Sequence, residues 1–251
     1  MPGTDQQPTG TAPTTAPEQN QPTPLLQTLL RQKLPRGANS LPKDVVEAEQ
    51  KKRLAAATAK VVAAKGYANT TVADIIAAAG VSRTTFYALF SDKEECFLFG
   101  FAKLSNAHLR EVRGAFKKSL PLPERLRAAI LAYMRRIDAD RELALAFVIE
   151  AESATPQSRL EILKVRRRLQ RGLRNWLNEV HETYPDVAGS TPDDLLLVTG
   201  GLISYVHHHV RSGEPFSERQ LDAVLRFIFA AFHLYEWANH LLLKSTLRAP
   251  T

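Results

Sequence analysis

The residues best suited to chemistry in this sequence lie between Thr71 and Lys93, and what they suit is hydrogen bonding to a polyanion. Arg83, Thr84, Thr85 and Tyr87 follow one another closely in RTTFYALF. A helix drawn through that stretch puts Phe86, Leu89 and Phe90 on one side, leaving the guanidinium, hydroxyls and phenol elsewhere. A short helix with a buried face and a polar, hydroxyl-rich outer face has the make-up of a recognition helix.

The flanking residues show how such a helix is positioned. Thr71 and Asp74 stand at capping-box spacing, which predicts a helix carrying the apolar stripe Val72, Ile75, Ile76 and Ala79. Gly80 stops it, because glycine enters the left-handed conformation at little cost. Ser82 caps the next helix, with Val81 and Phe86 at the spacing of a hydrophobic staple. Ser91 and Glu94 repeat the capping-box spacing ahead of a long helix predicted over 92–118. Upstream, a helix predicted over 42–65 carries Leu54, Ala57, Val61 and Val62 on one stripe and ends at Gly66. The run Lys51, Lys52 and Arg53 reads as its solvated face.

The segments GYANT, TTVADIIAAAGVS and RTTFYALFSDKEE resemble the N-terminal helix-turn-helix of the TetR/AcrR family of transcriptional regulators, over roughly residues 43 to 100. The remainder of the chain is similar only in helical pattern. The resemblance implies an all-α protein: an N-terminal three-helix DNA-binding domain over 41–92, its motif at about 72–91, then a larger ligand-binding and dimerisation domain over 93–251. It also implies that Arg83, Thr84 and Thr85 face base edges, with Arg favouring guanine. Thr71, Ser82, Tyr87 and Lys93 would hold phosphates and set register. Lys93 opposes the dipole of the helix it opens, a penalty that a phosphate at that terminus would reverse.

Whole-chain properties fit these expectations. Thirty-three Lys and Arg against 26 Asp and Glu give a formal charge of +7, which favours an anionic partner. The lone cysteine, Cys96, excludes an internal disulfide framework or thiolate metal cluster and fits a reducing, cytoplasmic setting. No run approaches the roughly 18 apolar residues of a membrane span, and the N-terminus does not read as a signal peptide. Residues 1–40 read as a disordered Pro/Thr/Gln-rich tail ending in a basic arm. Arg31, Lys33 and Arg36 there fit either a minor-groove contact or an ordinary linker.

Beyond the motif, helices are predicted over about 123–139, 141–153, 157–183, 192–212 and 217–244, punctuated by prolines. In the last two, Leu195, Thr199, Leu202, Val206 and His209 share one face, and Leu221, Val224, Leu225, Ile228, Phe232 and Tyr235 share another. The family resemblance implies that this pair packs on a second copy as a four-helix dimer interface, with monomer core as the competing reading. Phe97, Phe101, His108, Tyr133, Phe147, Glu150, Trp176 and Tyr205 are expected to line an effector pocket, as few polar groups among aromatics suit a small molecule.

The triplet His207, His208 and His209 spreads by about 100° per residue around a helix, so it cannot close on one metal ion. The basic run Lys164, Arg166, Arg167, Arg168, Arg171 and Arg174 reads as a solvated face over an inward row of Leu163, Leu169, Leu173, Trp176 and Leu177. No catalytic signature or cofactor loop appears, so the expected partners are double-stranded operator DNA, a second copy and an unidentified small-molecule effector, with no membrane. The resemblance implies a homodimeric repressor whose effector changes the separation of two recognition helices. The alternatives are a helix-turn-helix protein acting through protein contacts or without an effector, and a histidine-based metalloenzyme.

Overall fold

In the computed structural model, residues 42–187, 189–234 and 236–238 are described, and they contain helices and no strand. The tail and its basic arm, including Arg36, lie outside the described residues. Helix α1 (Lys43–Lys65) is buried on two sides because its middle is almost all small residues. Leu54 and Ala57 face one cluster, while Ala56, Ala59 and Val62 face another. Gly66 closes α1 at φ 80°, a value that favours glycine.

Helix α2 (Val72–Ala79) begins on the expected capping box: the Asp74 N–H donates to Thr71 Oγ1, and the Thr71 N–H donates to Asp74 Oδ2. Gly80 ends it in the left-handed conformation at φ 61°, its N–H bonding to Ala77 and that of Val81 to Ile76. Helix α3 (Arg83–Leu89) is capped by Ser82, which accepts the Thr85 N–H at 3.0 Å. Ile75, Ala79, Phe86, Leu89 and Phe90 join Leu54 and Ala57 in a small core, with Val81 packed at its edge as the staple spacing predicts.

Helix α4 (Lys93–Ala115) starts one residue later than the Ser91–Glu94 pairing predicts. Asp92 is the cap, accepting the Glu95 N–H at 2.8 Å, while the Glu95 carboxylate takes the Ser91 N–H and hydroxyl. Both pairs have the same spacing, and the acceptor that wins is the charged one. Successive residues of α4 enter different cores: Cys96 joins the helix-turn-helix, and Phe97 joins Tyr67, Phe101 and Phe147.

Next come α5 (Leu122–Ala139), α6 (Arg141–Ala144), a π-helical stretch (Leu145–Glu150) and α7 (Ala151–Ala154). The helix expected over 141–153 therefore follows its predicted path but is π-wound through its middle. Gly100 lies against it: a Cβ there would stand 2.7 Å from Phe147 Cζ and 3.3 Å from Ala55 Cβ, so α4 approaches as closely as a bare backbone permits.

Helices α8 (Pro156–Thr183), α9 (Pro192–Ser212) and α10 (Glu218–Ala231) complete the larger domain. The helix expected over 217–244 is interrupted at Phe232. His233 takes φ 56°, its N–H bonds to Ala230 O, the Leu234 N–H returns to Phe229 O, and Leu234 is buried, which makes a Schellman motif with His where glycine is usual. Residues 236–238 are helical again, and Tyr235 is outside the described residues. Leu163 also departs from expectation: it is 44% exposed rather than inward, beside Leu160 at 52%.

The faces expected to meet a second copy are instead protomer core. Leu195, Leu221, Val224, Leu225, Ile228 and Phe232 pack with Trp176, Leu177 and Val180 of α8, and Thr199 and His209 are buried too. The opposite sides of α9 and α10 carry the exposed apolar residues Leu196, Leu197 and Phe227.

Cys96 gives a direct check on this packing. Its thiol is fully buried 3.2 Å from Thr58 Oγ1, and burial pushes its pKa up to about 12. A thiol reagent at pH 8 is expected to label the native protein only at the rate of unfolding, and the urea-unfolded chain at once. Labelling in native buffer as fast as in urea would contradict the placement of α4.

Candidate nucleic-acid interface

Burial of Phe86 and Leu89 fixes the orientation of α3, and Arg83, Thr84, Tyr87 and Ala88 are exposed as a result. The Arg83 guanidinium lies 5.6 Å from the centroid of the Tyr87 ring, which itself stands edge-on to Phe86. An anchored aromatic thus pre-orients a cation that makes no ion pair among the described residues. Thr85, expected among the readers, is half-buried, and its hydroxyl lies 2.8 Å from Ser82 Oγ. Its side chain completes the cap more than it extends the outer face.

The residues expected to hold phosphates have internal partners of their own. The Thr71 hydroxyl donates to Asp74 Oδ2 at 2.5 Å, and Lys65 Nζ reaches the same oxygen at 2.5 Å. The Lys65 ammonium first, then the Thr71 hydroxyl and amide, hold the Asp74 carboxyl well below the usual carboxylate range. Lys93 turns back from the helix terminus: Nζ donates to Tyr67 O at 3.1 Å and Thr70 O at 2.8 Å, and lies 4.5 Å from the Tyr67 ring centroid. It ties the start of α4 to the segment that leads into α2. Arg53 overturns the reading of its charge run as a solvated face. Its guanidinium donates to Ala79 O at 2.9 Å and Gly80 O at 3.3 Å, placing a cation on the carbonyl end of α2. No sequence spacing points to that contact, since 26 residues separate its ends.

The expected pocket residues divide among separate clusters. Phe147 lies 5.1 Å from Phe97 and 6.3 Å from Phe101, and Tyr67 stacks 4.9 Å from Phe97. Glu150, at the end of the π stretch, accepts the Tyr67 N–H at 3.1 Å, linking the larger domain to the segment before α2. His108 and Tyr133 meet edge-to-face at 5.8 Å, some three turns along α4 from Phe97. Burial first, then the charge of Arg136, push His108 down to about 4, and burial pushes Tyr133 up to about 12. Trp176 donates to Leu122 O at 2.9 Å inside the largest cluster, and Tyr205 packs between that cluster and the one around Met134. Phe97 and His108 are eleven residues apart, about 16 Å along a helix, so they face different stretches of the larger domain.

The three histidines diverge as their spacing predicts. His209 is buried, with Nε2 2.6 Å from Asp138 Oδ1, while Asp138 Oδ2 accepts the Phe216 N–H at 2.7 Å. His207 is half-buried and His208 exposed. Among the described residues, no group of three His, Cys, Asp or Glu is placed to hold a metal ion, and no helix is long and apolar enough to cross a membrane.

Comparison with known proteins agrees with this architecture. Residues 54–98 match the family described as bacterial regulatory proteins, tetR family, and residues 119–225 match the tetracyclin repressor-like C-terminal domain. The fatty acid degradation regulator FadR from Bacillus halodurans is 22% identical, aligning over 73% of this chain and 94% of its own with a TM-score of 0.62. FadR from Bacillus subtilis, solved in complex with stearoyl-CoA, is 20% identical over 72% of this chain and 98% of its own, also at 0.62. A tetR-family regulatory protein from Rhodococcus RHA1 is 22% identical over 74% and 96%, at 0.59. No curated protein matches this sequence. With a helix-turn-helix and a helical C-terminal domain that match the family's two halves, the chain belongs to the TetR family of bacterial transcriptional regulators.

Proposed function

We propose that the protein is a homodimeric repressor that reads operator DNA through α3 and is released by a small molecule bound in the larger domain. The observation that carries this reading is the exposed Arg83–Tyr87 pair on a helix whose other face is locked into a core. Arg83 and Thr84 contact base edges; Ser82, Thr71 and Tyr87 contact phosphates. Lys93 acts indirectly, holding the approach to α2 in place, and Arg36 belongs to the basic arm that would reach the minor groove beside the site.

Dimerisation uses the outer sides of α9 and α10. Leu196 and Leu197 are 61% and 71% exposed, Phe227 is 46% exposed, and nothing lies within 4 Å of the position a Cβ would take at Gly200. Side chains of that size left in water beside a bare helix surface favour close helix packing against a second copy. A two-fold pair also presents two copies of α3 to a two-fold site. The effector acts through the larger domain; since FadR of Bacillus subtilis was solved with stearoyl-CoA, an acyl-CoA is the first candidate to test. Movement of the π stretch would reach α2 through the hydrogen bond of Glu150 to the Tyr67 amide.

Three outcomes are expected. With a duplex obtained by selection from random oligonucleotides, Arg83→Ala relaxes preference at one position per half-site, by about 1–3 kcal/mol of discrimination. Equal losses on selected and random duplexes would remove Arg83 from base reading. Glu150→Ala accelerates hydrogen exchange at the Tyr67 amide while leaving core amides of α8 protected, and unchanged exchange at Tyr67 would break the proposed link. Leu197→Glu moves the sedimenting species at micromolar concentration toward the 27.9 kDa monomer, whereas a native protein already monomeric there would refute the dimer.

A further inference from the structure

Burial of Phe86 and Leu89 defines which side of α3 points away from the protein more narrowly than exposure alone. At about 100° per residue, the direction opposite the mean of those two side chains falls within about 10° of Thr84, with Ala88 about 50° to one side and Tyr87 about 50° to the other. Arg83 stands at the rim, about 90° from that crown, with its guanidinium 5.6 Å from the centroid of the Tyr87 ring. Thr84 and Ala88 are both exposed, and at four-residue spacing they form one low ridge along the helix.

The chemistry of that ridge is narrow. Between the backbone of α3 and whatever the helix lies against, it places one hydroxyl and two methyl groups, Thr84 Cγ2 and Ala88 Cβ. Side chains this small allow a close approach of the backbone. In a major groove the hydroxyl can bond to either a donor or an acceptor, but a methyl gains only from apolar contact, and the apolar group the bases present there is the 5-methyl of thymine.

We propose that Thr84 and Ala88 form a methyl ridge that selects thymine in the operator half-site, beside the base read by Arg83. This assignment rests on α3 being the recognition helix and adds a residue to it: Ala88, with no polar side-chain atom, contributes to specificity through apolar contact alone. The rise from Arg83 to Ala88 is about 7.5 Å, a little over two base steps, so the selected thymine stands within about three base pairs of the position read by Arg83.

A change in the DNA tests the ridge with the protein intact. In the duplex enriched from random oligonucleotides, each thymine of a half-site is replaced in turn by deoxyuridine, which removes the 5-methyl group and keeps every hydrogen-bonding atom. At fixed salt, affinity should fall about fourfold at one or two thymines within that span, the loss that accompanies one buried methyl. Ala88→Gly should abolish the penalty at one thymine, and Thr84→Ser, which keeps the hydroxyl, should do so at the same thymine or its neighbour; far-UV circular dichroism checks that each variant is helical. A half-site with no thymine in the span, deoxyuridine without effect there, or penalties that persist in both variants would each overturn the proposal. If selection enriches no sequence, DNA reading falls and this inference with it. An enriched site indifferent to the thymine methyl removes the ridge and leaves the reading by Arg83 standing.

Discussion

The segment 66–70 is gripped from two sides, and the placement of α2 and α3 depends on that grip. From one side the Glu150 carboxylate accepts the Tyr67 N–H; from the other the Lys93 ammonium collects the carbonyls of Tyr67 and Thr70. Gly66 makes the arrangement possible twice over. It takes φ 80°, and a Cβ there would stand 3.3 Å from Glu150 Oε2. The individual bonds are each worth on the order of 1 kcal/mol at half-buried positions. Their importance is geometric: they fix the chain just before the Thr71 cap, and the capped helix carries the turn and α3 after it.

A second constraint is the sharing of helices between cores. The helix-turn-helix core holds few large side chains, chiefly Leu54, Ile75, Phe86, Leu89 and Phe90, too few to make a domain of that size robust alone. It is shored up because α1 and α4 each bury a second face in the cluster around Phe97 and Phe147. The alanines of α1 allow this, since a helix buried on two sides must be thin.

What was legible in the sequence followed from local rules with few competing solutions. The caps at Thr71 and Ser82 and the stop at Gly80 rest on contacts within five residues, and the buried face of α3 follows helical periodicity, so spacing captures them. Where two local solutions had equal spacing, as with Ser91–Glu94 and Asp92–Glu95, spacing could not choose. The break after Phe232 was hidden because its left-handed residue is His233, not glycine. The inward side of α9 and α10 was read as a dimer face because an apolar stripe marks a buried side without saying what buries it, and only packing against α8 decides that. The eight candidate pocket residues were chosen on type, and type does not reveal that Phe97, His108 and Trp176 lie in different clusters.

The π stretch has a further consequence. Both ends of the 141–154 run are moored: Asp140 is paired with buried Arg136, and Ser158 Oγ donates to Ala151 O beneath the Thr155 cap. A wide turn between fixed moorings stores surplus chain, because each i→i+5 closure encloses one residue more than an α turn. Relatives lacking one residue between 145 and 150 could keep both moorings by tightening to ordinary α geometry. The same deletion in α4 would rotate every later side chain by about 100° and tear Phe101 from Phe147. The run can therefore give up one residue without moving either mooring, a slack that the α-wound helices around it do not have.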